Sequence, residues 1–355
     1  MLARELKRRW PEAELYGFGG DRMRAAGVTL WAHADEMAVM GFVEVARHLP
    51  FFLRLLRETR ASLRSAPPDL VIPIDYPGFN LRLARYAKER RIPVLYYIAP
   101  QVWAWHRSRM KELARNADRL AVVLPFEEQL FREAGAAVTF VGHPLLDLSP
   151  AETTREVFCA QHGLDPERPV VALLPGSRMQ EIRHHAALFA EAAALLQARM
   201  PEVQPVVAQA PGIADEALAD VAWPRARNSA ELLTFARTAL TKSGTSTLEC
   251  ALAITPMVIA YRMNPISFFV ARNVVEVKHI GLVNLIAGDR VAPEFVQDRA
   301  TPERLAKALA AITSDGYERE RQLAGLRGVR ELLAGDAQGA AARVADLAAE
   351  LLQAS

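Results

Sequence analysis

The segment LLPGSR (173–178) joins a short apolar run to a helix through a turn of small residues. A helix start leaves backbone N–H groups unpaired, and these groups, together with the helix dipole, attract anions. Gly176 and Ser177 lie in the turn, and Arg178 adds a planar cation that suits phosphate. This pattern predicts a phosphate site. The alternative is a well-capped helix, with Ser177 as its cap and Glu181 in its first turn.

The segment TKSGTSTLEC (241–250) has the same organisation. Ser243 and Thr245 are of types that cap helices, and Gly244 lets a ligand approach the backbone closely. Glu249 lies one helical turn after Thr245 on the same face, where a carboxylate can accept hydrogen bonds from two adjacent hydroxyls, as in ribose. Two helix starts that attract anions and a carboxylate for a diol fit a nucleoside diphosphate. The alternative is that these small residues simply cap helices.

A third candidate lies in the first half of the chain, in DLVIPIDYPGFN (69–80). Asp75 ends an otherwise apolar run and precedes a turn made by Pro77 and Gly78. A carboxylate at the rim of a cleft can act as a general base. The alternative is a structural role, as a helix cap or in a hydrogen-bonded Asx turn. Residue spacing alone does not favour the general base over this structural role.

These candidates need strands that end at a common edge, and the sequence supplies such strands. Short apolar runs alternate with longer amphipathic stretches, which predicts parallel sheets covered by helices. The polar segment 146–156 divides the chain, and the Ala-rich segment 336–353 predicts one or two closing helices. We expect an α/β fold of two doubly wound domains facing a cleft, with ligands beyond the carboxyl ends of the strands. The predicted strands are 70–74, 93–99, 119–124, 138–142, 170–174, 205–210, 238–242 and 256–261.

Composition limits the classes of protein that fit. A chain of 355 residues is long enough for two domains, and its net charge of +2 argues against nucleic-acid binding by charge alone. Cys159 and Cys250 lack metal-ligand spacing and suit a reducing cytosol. His184 and His185 also lack such spacing and should lie on the exposed side of a helix. The apolar runs are shorter than a membrane span, which predicts a soluble or peripheral protein.

Taken together, the motifs resemble the lipid A disaccharide synthase family of bacterial glycosyltransferases. The resemblance extends over nearly the whole chain, and its most specific parts are VWAW (102–105) and FVGHP (140–144). The other matching motifs are GFGGDRMRAAGV (17–28), MAVMGFVEV (37–45), IDYPGFN (74–80), LPFE (124–127), LLPGSR (173–178), SGTSTLE (243–249), PMVIAYRM (256–263) and NLIAG (284–288).

The resemblance implies a fold of the GT-B glycosyltransferase type, with two Rossmann-like domains. Residues 1–148 would form an acceptor and membrane-facing domain on which the C-terminal helices (330–355) pack, and residues 149–329 would bind the UDP-sugar. The implied enzyme is an inverting glycosyltransferase of lipid A biosynthesis. It would join UDP-2,3-diacylglucosamine to 2,3-diacylglucosamine 1-phosphate, giving lipid A disaccharide 1-phosphate and UDP.

The same resemblance assigns roles to individual positions. Asp75 matches the proposed base that takes the proton from the acceptor 6-hydroxyl, and Arg178 with the PGS backbone would hold the diphosphate. The sequence has no Asp-x-Asp motif, so we expect no metal and no cofactor; backbone dipoles, Arg178 and Lys242 would stabilise the leaving diphosphate instead. The UDP-sugar site would comprise Gly176, Ser177, Arg178, Ser243, Gly244, Thr245, Glu249, Asn284 and Gln297.

Acylated substrates imply a surface that faces the membrane. The segment 37–64 combines apolar residues with arginines, as an interfacial helix on anionic lipid does, although the pattern alone favours a core helix with a charged outer face. We expect a cytoplasmic protein at the inner membrane, whose partners are the two glycolipids and the membrane surface but no nucleic acid; a homodimer is left open. The lipid-facing residues would be Phe42, Phe51, Phe52, Leu55, Trp103 and Trp105, with core packing as the alternative for the tryptophans.

The chain departs from the family pattern at three places. Gly78 stands where the family usually has Asp, and Val283 stands where it has Pro. The family begins with a strand and a turn of the GEASGD type, whereas MLARELKRRWPEAEL (1–15) predicts that this chain begins at the following helix, without that strand. Two alternatives to the synthase activity remain: another two-domain UDP-sugar enzyme, such as a UDP-N-acetylglucosamine epimerase, or a shortened inactive relative that binds nucleotide sugar or lipid.

Overall fold

The structure, a computed structural model, describes residues 1–37, 42–101, 107–147, 153–264, 268, 278–335 and 338–354. Its strands are β1 (Tyr16–Gly19), β2 (Thr29–His33), β3 (Leu95–Tyr97), β4 (Arg119–Val122), β5 (Val138–Phe140), β6 (Val170–Leu174), β7 (Gln204–Ala208), β8 (Arg225–Ala226), β9 (Ala236–Lys242), β10 (Met257–Tyr261) and β11 (Glu294–Val296).

The α-helices lie between these strands. They are α1 (Leu2–Arg9), α2 (Asp21–Arg24), α3 (Ala34–Met37), α4 (Phe42–Ser65), α5 (Pro77–Glu89), α6 (Arg107–Asn116), α7 (Pro125–Glu133), α8 (Arg155–His162), α9 (Met179–Arg199), α10 (Ser229–Phe235), α11 (Ser246–Leu252), α12 (Leu282–Ala287), α13 (Pro302–Thr313), α14 (Tyr317–Ala334) and α15 (Ala340–Ala354). Short 3-10 helices occupy Pro144–Asp147, Asp215–Leu218 and Gln297–Arg299.

The chain divides into two compact units. Unit 1 comprises Met1–Asp147 and Leu333–Ser355, and unit 2 comprises Leu148–Leu332. Each unit contains parallel strands, as the alternation of apolar runs and amphipathic stretches predicts.

Unit 2 is built on a six-stranded sheet in the order β11-β10-β9-β6-β7-β8, in which every paired strand is parallel to its neighbour. From β6 the chain moves outward through β7 to β8, and it then returns to the other side of β6 and moves outward from β9 to β11. The strand order therefore reverses between β6 and β9. Open α/β sheets bind ligands at such a switch point, at the carboxyl ends of the strands.

Burial on both faces explains why the central strands of unit 2 are continuously apolar. All five residues of β6 are buried, and α9 and α13 pack side by side on one face of the sheet, while α10 also contacts β6, β7 and β9. Phe189 and Leu196 of α9 and Leu305 of α13 are almost completely inaccessible to water. This packing holds β6 and β9 firmly in place, and it thereby fixes the turns that follow them.

Unit 1 contains the sheet β3-β4-β5 and a separate parallel pair, β1 and β2. The predicted strand 70–74 is reduced to isolated parallel bridges, Val71 with Val94 and Ile74 with Tyr97. Proline explains the interruption: Val71 N–H donates to Pro93 and Asp75 N–H donates to Tyr97, but Pro73 between them has no N–H to donate. The segment still lies beside β3, and Asp75 is therefore placed at the carboxyl end of β3.

The C-terminal helix α15 packs against α1 within unit 1. Arg9 of α1 forms an ion pair with Asp346 and also donates to the carbonyl of Ala342 at 3.0 Å. The Asp147 carboxylate accepts from the N–H groups of Ala340 and Ala341 at 3.2 and 3.0 Å, which satisfies the start of α15. Among the described residues, no helix is both long enough and apolar enough to cross a membrane.

Candidate functional site

The two small-residue turns of unit 2 lie on either side of the switch point. One turn connects β6 to α9, and the other connects β9 to α11. Because Leu174 pairs with Thr241 across the two strands, both turns begin at the same edge of the sheet. The parallel sheet therefore brings together two segments that are far apart in the sequence.

The β6–α9 turn is organised by Glu181. The residue that caps α9 is Arg178 and not Ser177, which corrects the expectation from the sequence. The backbone N–H of Ser177 instead donates to Oε2 of Glu181 at 2.9 Å. Gly176 has a φ of +136°, a conformation that side chains rarely adopt. The Arg178 side chain remains 58% exposed, with Nη1 3.8 Å from Oε1 of Glu181, so that it is accessible to a ligand.

The β9–α11 turn is also organised differently from the expectation. The hydroxyl of Ser243 donates to the carbonyl of Ile280 at 2.6 Å and so ties the turn to the segment before α12. Thr245 is the N-cap residue, but among the described residues its exposed side chain makes no capping hydrogen bond. Gly244 has a φ of +139°. Thr245 is therefore the exposed residue of the turn, whereas Ser243 and Gly244 are half-buried.

An ion pair joins the two turns. Nζ of Lys242, the last residue of β9, lies 2.8 Å from Oε1 of Glu181, and the two side chains are only 13% and 17% exposed. Burial alone would raise the pKa of Glu181, but the hydrogen bond and charge of Lys242 outweigh it, and the pKa lies below its usual value. The pair is separated by 61 residues in sequence, so residue spacing gave no signal for it.

The Glu249 carboxylate, which the sequence predicts to accept from ribose hydroxyls, accepts from a hydroxyl of the protein itself. Its Oε2 accepts from Oγ of Ser229, the first residue of α10, at 2.7 Å. The Glu249 side chain is partly exposed at the start of α11. One oxygen of the carboxylate that is expected to bind a ribose is therefore already held by Ser229.

Asn284 and Gln297 form internal contacts. Asn284 is fully buried; its Nδ2 donates to Ala292 O and to Oε1 of Glu294, both at 2.8 Å, and its Oδ1 accepts from Ala292 N–H at 2.9 Å. Gln297 accepts from the N–H of Met263 and donates to its carbonyl. These amides shape the loops beside β10 and β11, so contact of either with a ligand would require rearrangement of these bonds.

His185 corrects another expectation, because it is buried and not exposed. Its Nδ1 is 2.8 Å from Glu181 O, and its Nε2 accepts from the N–H of Arg262 at 2.9 Å. The neutral ring with a proton on Nδ1 satisfies both contacts. Burial, the main cause, lowers the pKa of His185. The imidazole thus joins α9 to the end of β10, beneath the β6–α9 turn.

Asp75 lies in unit 1, at the end of the segment 70–75 that pairs with β3. It is exposed, and both Asp75 and the next residue, Tyr76, have positive φ values of 46° and 45°. The conformation is held by the side chains of Asn80 and Tyr96, which both donate to the Asp75 carbonyl at 2.8 Å. Strained backbone of this kind is found preferentially at functional sites.

The predicted lipid-facing residues do not form one set. Phe51 and Phe52 are partly exposed, with ring centroids 5.5 Å apart, and Phe52 lies 6.3 Å from the ring of Tyr76. Leu55 is buried, because it faces inward from α4, and this burial removes it from a lipid-facing surface. The side chain of Phe42, and Trp103 and Trp105, lie outside the described residues.

Exposed apolar side chains extend the surface around the two phenylalanines. Leu53 is 58% exposed and Tyr76 is 39% exposed. We call Phe51, Phe52, Leu53 and Tyr76 the aromatic patch. The guanidinium of Arg54 lies 5.7 Å from the ring centroid of Phe51, so a cation borders the patch.

In the described ranges, no group of three or more His, Cys, Asp or Glu side chains is arranged to hold a metal ion.

Comparison with known sequences identifies a family. The model of the family described as Lipid-A-disaccharide synthetase matches residues 1–347. The lipid-A-disaccharide synthase of Geobacter metallireducens is 41% identical over 362 aligned residues, which cover 99% of this chain and 93% of that protein. The enzyme of the same name from Syntrophus aciditrophicus is also 41% identical, with 100% and 94% covered.

Solved structures share the fold at much lower sequence identity. The calicheamicin glycosyltransferase CalG4 has a TM-score of 0.61 at 19% identity, with 99% of this chain and 94% of that chain covered. The UDP-GlcNAc 2-epimerase from Neisseria meningitidis, bound to UDP-GlcNAc, has a TM-score of 0.58 at 10% identity, with 97% and 100% covered. At such identities the likeness is one of fold, and the fold is of the GT-B glycosyltransferase type, as the resemblance of the motifs implies.

Proposed function

This chain belongs to the Lipid-A-disaccharide synthetase family and is a glycosyltransferase of lipid A biosynthesis, and we propose that it joins UDP-2,3-diacylglucosamine to 2,3-diacylglucosamine 1-phosphate. The products are lipid A disaccharide 1-phosphate and UDP. Unit 2 binds the UDP-sugar, and unit 1 binds the acceptor. The proposal rests on family membership for the reaction and on the turns of unit 2 for the donor site.

The observation that supports the donor site is the pairing of two glycine turns at the switch point of one sheet. Each turn supplies backbone N–H groups at a helix start, and Arg178 and Lys242 add positive charge beside them. A diphosphate bound there would be stabilised by dipoles and cations without a metal. Glu249 would accept from the ribose hydroxyls, with the oxygen that Ser229 does not hold or by displacing that hydroxyl.

Asp75 is the proposed general base. Its carboxylate takes the proton from the acceptor 6-hydroxyl while that oxygen attacks the anomeric carbon of the donor. The bond between this carbon and the diphosphate oxygen breaks, and its electron pair leaves with UDP. Attack from the side opposite the diphosphate inverts the anomeric configuration. Positive charge around the diphosphate stabilises the transition state, since negative charge develops on that oxygen.

The aromatic patch is the proposed membrane contact. Partly exposed aromatic rings bordered by Arg54 are typical of surfaces that enter the interface of an anionic bilayer. Asp75 directly precedes Tyr76, a member of the patch, so acyl chains at the patch would bring a glycolipid hydroxyl towards the base. We therefore assign the protein to the cytoplasmic side of the inner membrane, as a peripheral enzyme.

A turnover assay tests the activity against both alternatives. The protein is incubated with both glycolipids, and the products are separated and identified by mass spectrometry. Formation of disaccharide 1-phosphate and UDP in equal amounts, dependent on both substrates, is the expected result. An epimerase would instead isomerise the UDP-sugar without acceptor. Binding of UDP without any turnover would identify an inactive relative and overturn the proposed reaction.

A further inference from the structure

Glu181 occupies the position where an anion would interact with both turns. Its carboxylate accepts from the N–H of Ser177 and from the ammonium of Lys242, at 2.9 and 2.8 Å. Arg178 approaches the same carboxylate at 3.8 Å. A backbone donor and two cations assigned to the diphosphate thus already have an anionic partner within the protein.

The glycines of both turns leave space for this ion pair. A Cβ on Gly176 would lie 2.6 Å from Oε2 of Glu181, and a Cβ on Gly244 would lie 2.6 Å from Nζ of Lys242. Both residues also have positive φ values that favour glycine. The turns are therefore built around the Glu181–Lys242 pair as well as around any ligand.

We propose that Glu181 is a positioning residue that competes with the diphosphate of UDP for the ammonium of Lys242. In the free protein Glu181 holds Lys242 between the turns; as UDP binds, Lys242 exchanges this partner for a phosphate oxygen, and it returns to Glu181 as UDP leaves. The inference rests on the proposed UDP site and adds a residue that limits the affinity of that site for its product.

Electrostatics sets the direction of the effect. A carboxylate that remains near a bound diphosphate repels it, and this repulsion is strong because the Glu181 side chain is only 17% exposed. A residue that served merely to hold the turns in place would act in the opposite direction, because its loss would disorder the site and weaken UDP binding. The sign of the change in UDP affinity therefore separates the two roles.

The test is calorimetric titration of UDP into the full chain and its variants. Glu181→Gln retains an acceptor for Ser177 but removes the charge that holds Lys242. We expect it to bind UDP about tenfold more tightly, since it removes one like-charge interaction. Lys242→Met should bind about tenfold more weakly, and adding Glu181→Gln to Lys242→Met should restore part of the loss. Glu191→Gln, an exposed charge change on the same helix, is the matched control and should leave the affinity unchanged.

The outcomes separate this inference from the site on which it rests. If Arg178→Ala and Lys242→Met both leave UDP affinity unchanged, or if UDP does not bind, the donor site is wrongly placed and the inference fails with it. If Arg178→Ala weakens binding while Glu181→Gln also weakens it or leaves it unchanged, the site stands and the inference is overturned. Should Glu181→Gln alone not fold, Glu181→Asp decides, because its shorter side chain keeps the charge but weakens the 2.8 Å contact with Lys242: tighter UDP binding supports the exchange, and equal or weaker binding overturns it.

Discussion

Gly176 lies directly against Glu181, so that a Cβ at position 176 would come within 2.4 Å of the Glu181 Cβ. Neither group can move far, because Glu181 is in the first turn of α9 and its carboxylate is held by Ser177 and Lys242. A glycine in this turn is required by the internal ion pair even before a ligand is considered.

Gly176→Ala should displace Glu181 and disturb both turns. We expect UDP affinity to fall about tenfold or more, because the backbone donors and Lys242 shift together. Gly163→Ala is the matched control: Gly163 also has a positive φ, 66°, but a Cβ there meets nothing within 4 Å. The control should lose about 1 kcal/mol of stability from backbone strain and keep its UDP affinity. Titration calorimetry and urea unfolding measure the two quantities, and equal UDP affinities in both variants would contradict the prediction.

Variants of Glu249 and Arg178 should differ in which ligands they bind more weakly. Glu249→Ala should weaken UDP binding about tenfold but leave the binding of inorganic pyrophosphate unchanged, since only UDP offers ribose hydroxyls. Arg178→Ala should weaken both ligands, because the guanidinium contacts the phosphates. Arg183→Ala, an exposed arginine on the same helix, is the control for a general loss of positive charge. A Glu249→Ala variant that loses affinity for pyrophosphate as well would place Glu249 near the diphosphate or show that its loss disturbs the turn.

Asp75→Asn keeps the shape of the side chain and removes its basicity. We expect kcat to fall by about 10²–10⁴, the usual contribution of a general base, with the affinity for UDP unchanged. Asp69→Asn makes the same charge change at an exposed position six residues earlier and should retain turnover. Steady-state kinetics with both glycolipids measures the effect. Near-parental turnover of Asp75→Asn would exclude Asp75 as the base.

The strands around the site could be predicted because they are apolar on both faces and end at glycine turns. Segment 170–174 coincides with β6, and strands overlap the other predicted segments from 93–99 to 256–261. The pair β1 and β2 was missed, because its strands are short and mostly half-exposed, so they lack a continuous apolar run. Segment 70–74 was predicted as a strand since its apolar residues outweigh one proline, whereas in the ladder the missing N–H of Pro73 interrupts pairing.

The contacts of the site could not be predicted, for a different reason. Sequence spacing predicts which residues share a helix face, but it does not give the order of strands in a sheet. Glu181 and Lys242 meet because β6 and β9 are neighbours in the sheet, although β7 and β8 lie between them in the sequence. The same limit applies to Ser229, which meets Glu249 from α10, and to His185, whose burial depends on the end of β10.

The aromatic patch predicts membrane association. Phe51→Ser with Phe52→Ser should lower partitioning onto vesicles of phosphatidylethanolamine and phosphatidylglycerol about tenfold, because partly exposed rings contribute apolar area to the interface. The thermal midpoint should change little. Leu332→Ser, which removes a side chain that is 48% exposed in unit 2, is the control and should partition like the parent. If the double variant instead loses its thermal transition, the two phenylalanines belong to the core and the patch is not a membrane contact.

The burial of His143 should make the stability of unit 1 depend on pH. Burial lowers the pKa of His143 to about 4, and the negative charge of Asp147 opposes the shift without cancelling it. Its Nδ1 accepts from the N–H of Leu145 at 3.3 Å, which requires this nitrogen to be unprotonated. In the unfolded chain the pKa is near 6.5, so the stabilisation is complete above that pH. It is lost as the pH falls from about 6.5 towards 4, because the unfolded state binds the proton more readily.

The loss amounts to about 3 kcal/mol at most, from the difference between the two pKa values. His143→Asn can still accept from Leu145 but does not titrate in this range. We therefore expect urea unfolding at pH 8, 6, 5 and 4.5 to show a shrinking difference in unfolding free energy between the parent and His143→Asn. The parent is the more stable protein at pH 8, and its advantage decreases as the pH falls. His184→Asn, at an exposed position, is the control and should follow the parent at every pH. If parent and His143→Asn lose stability in parallel, the imidazole is not buried in its neutral form and the hydrogen bond to Leu145 does not form as described.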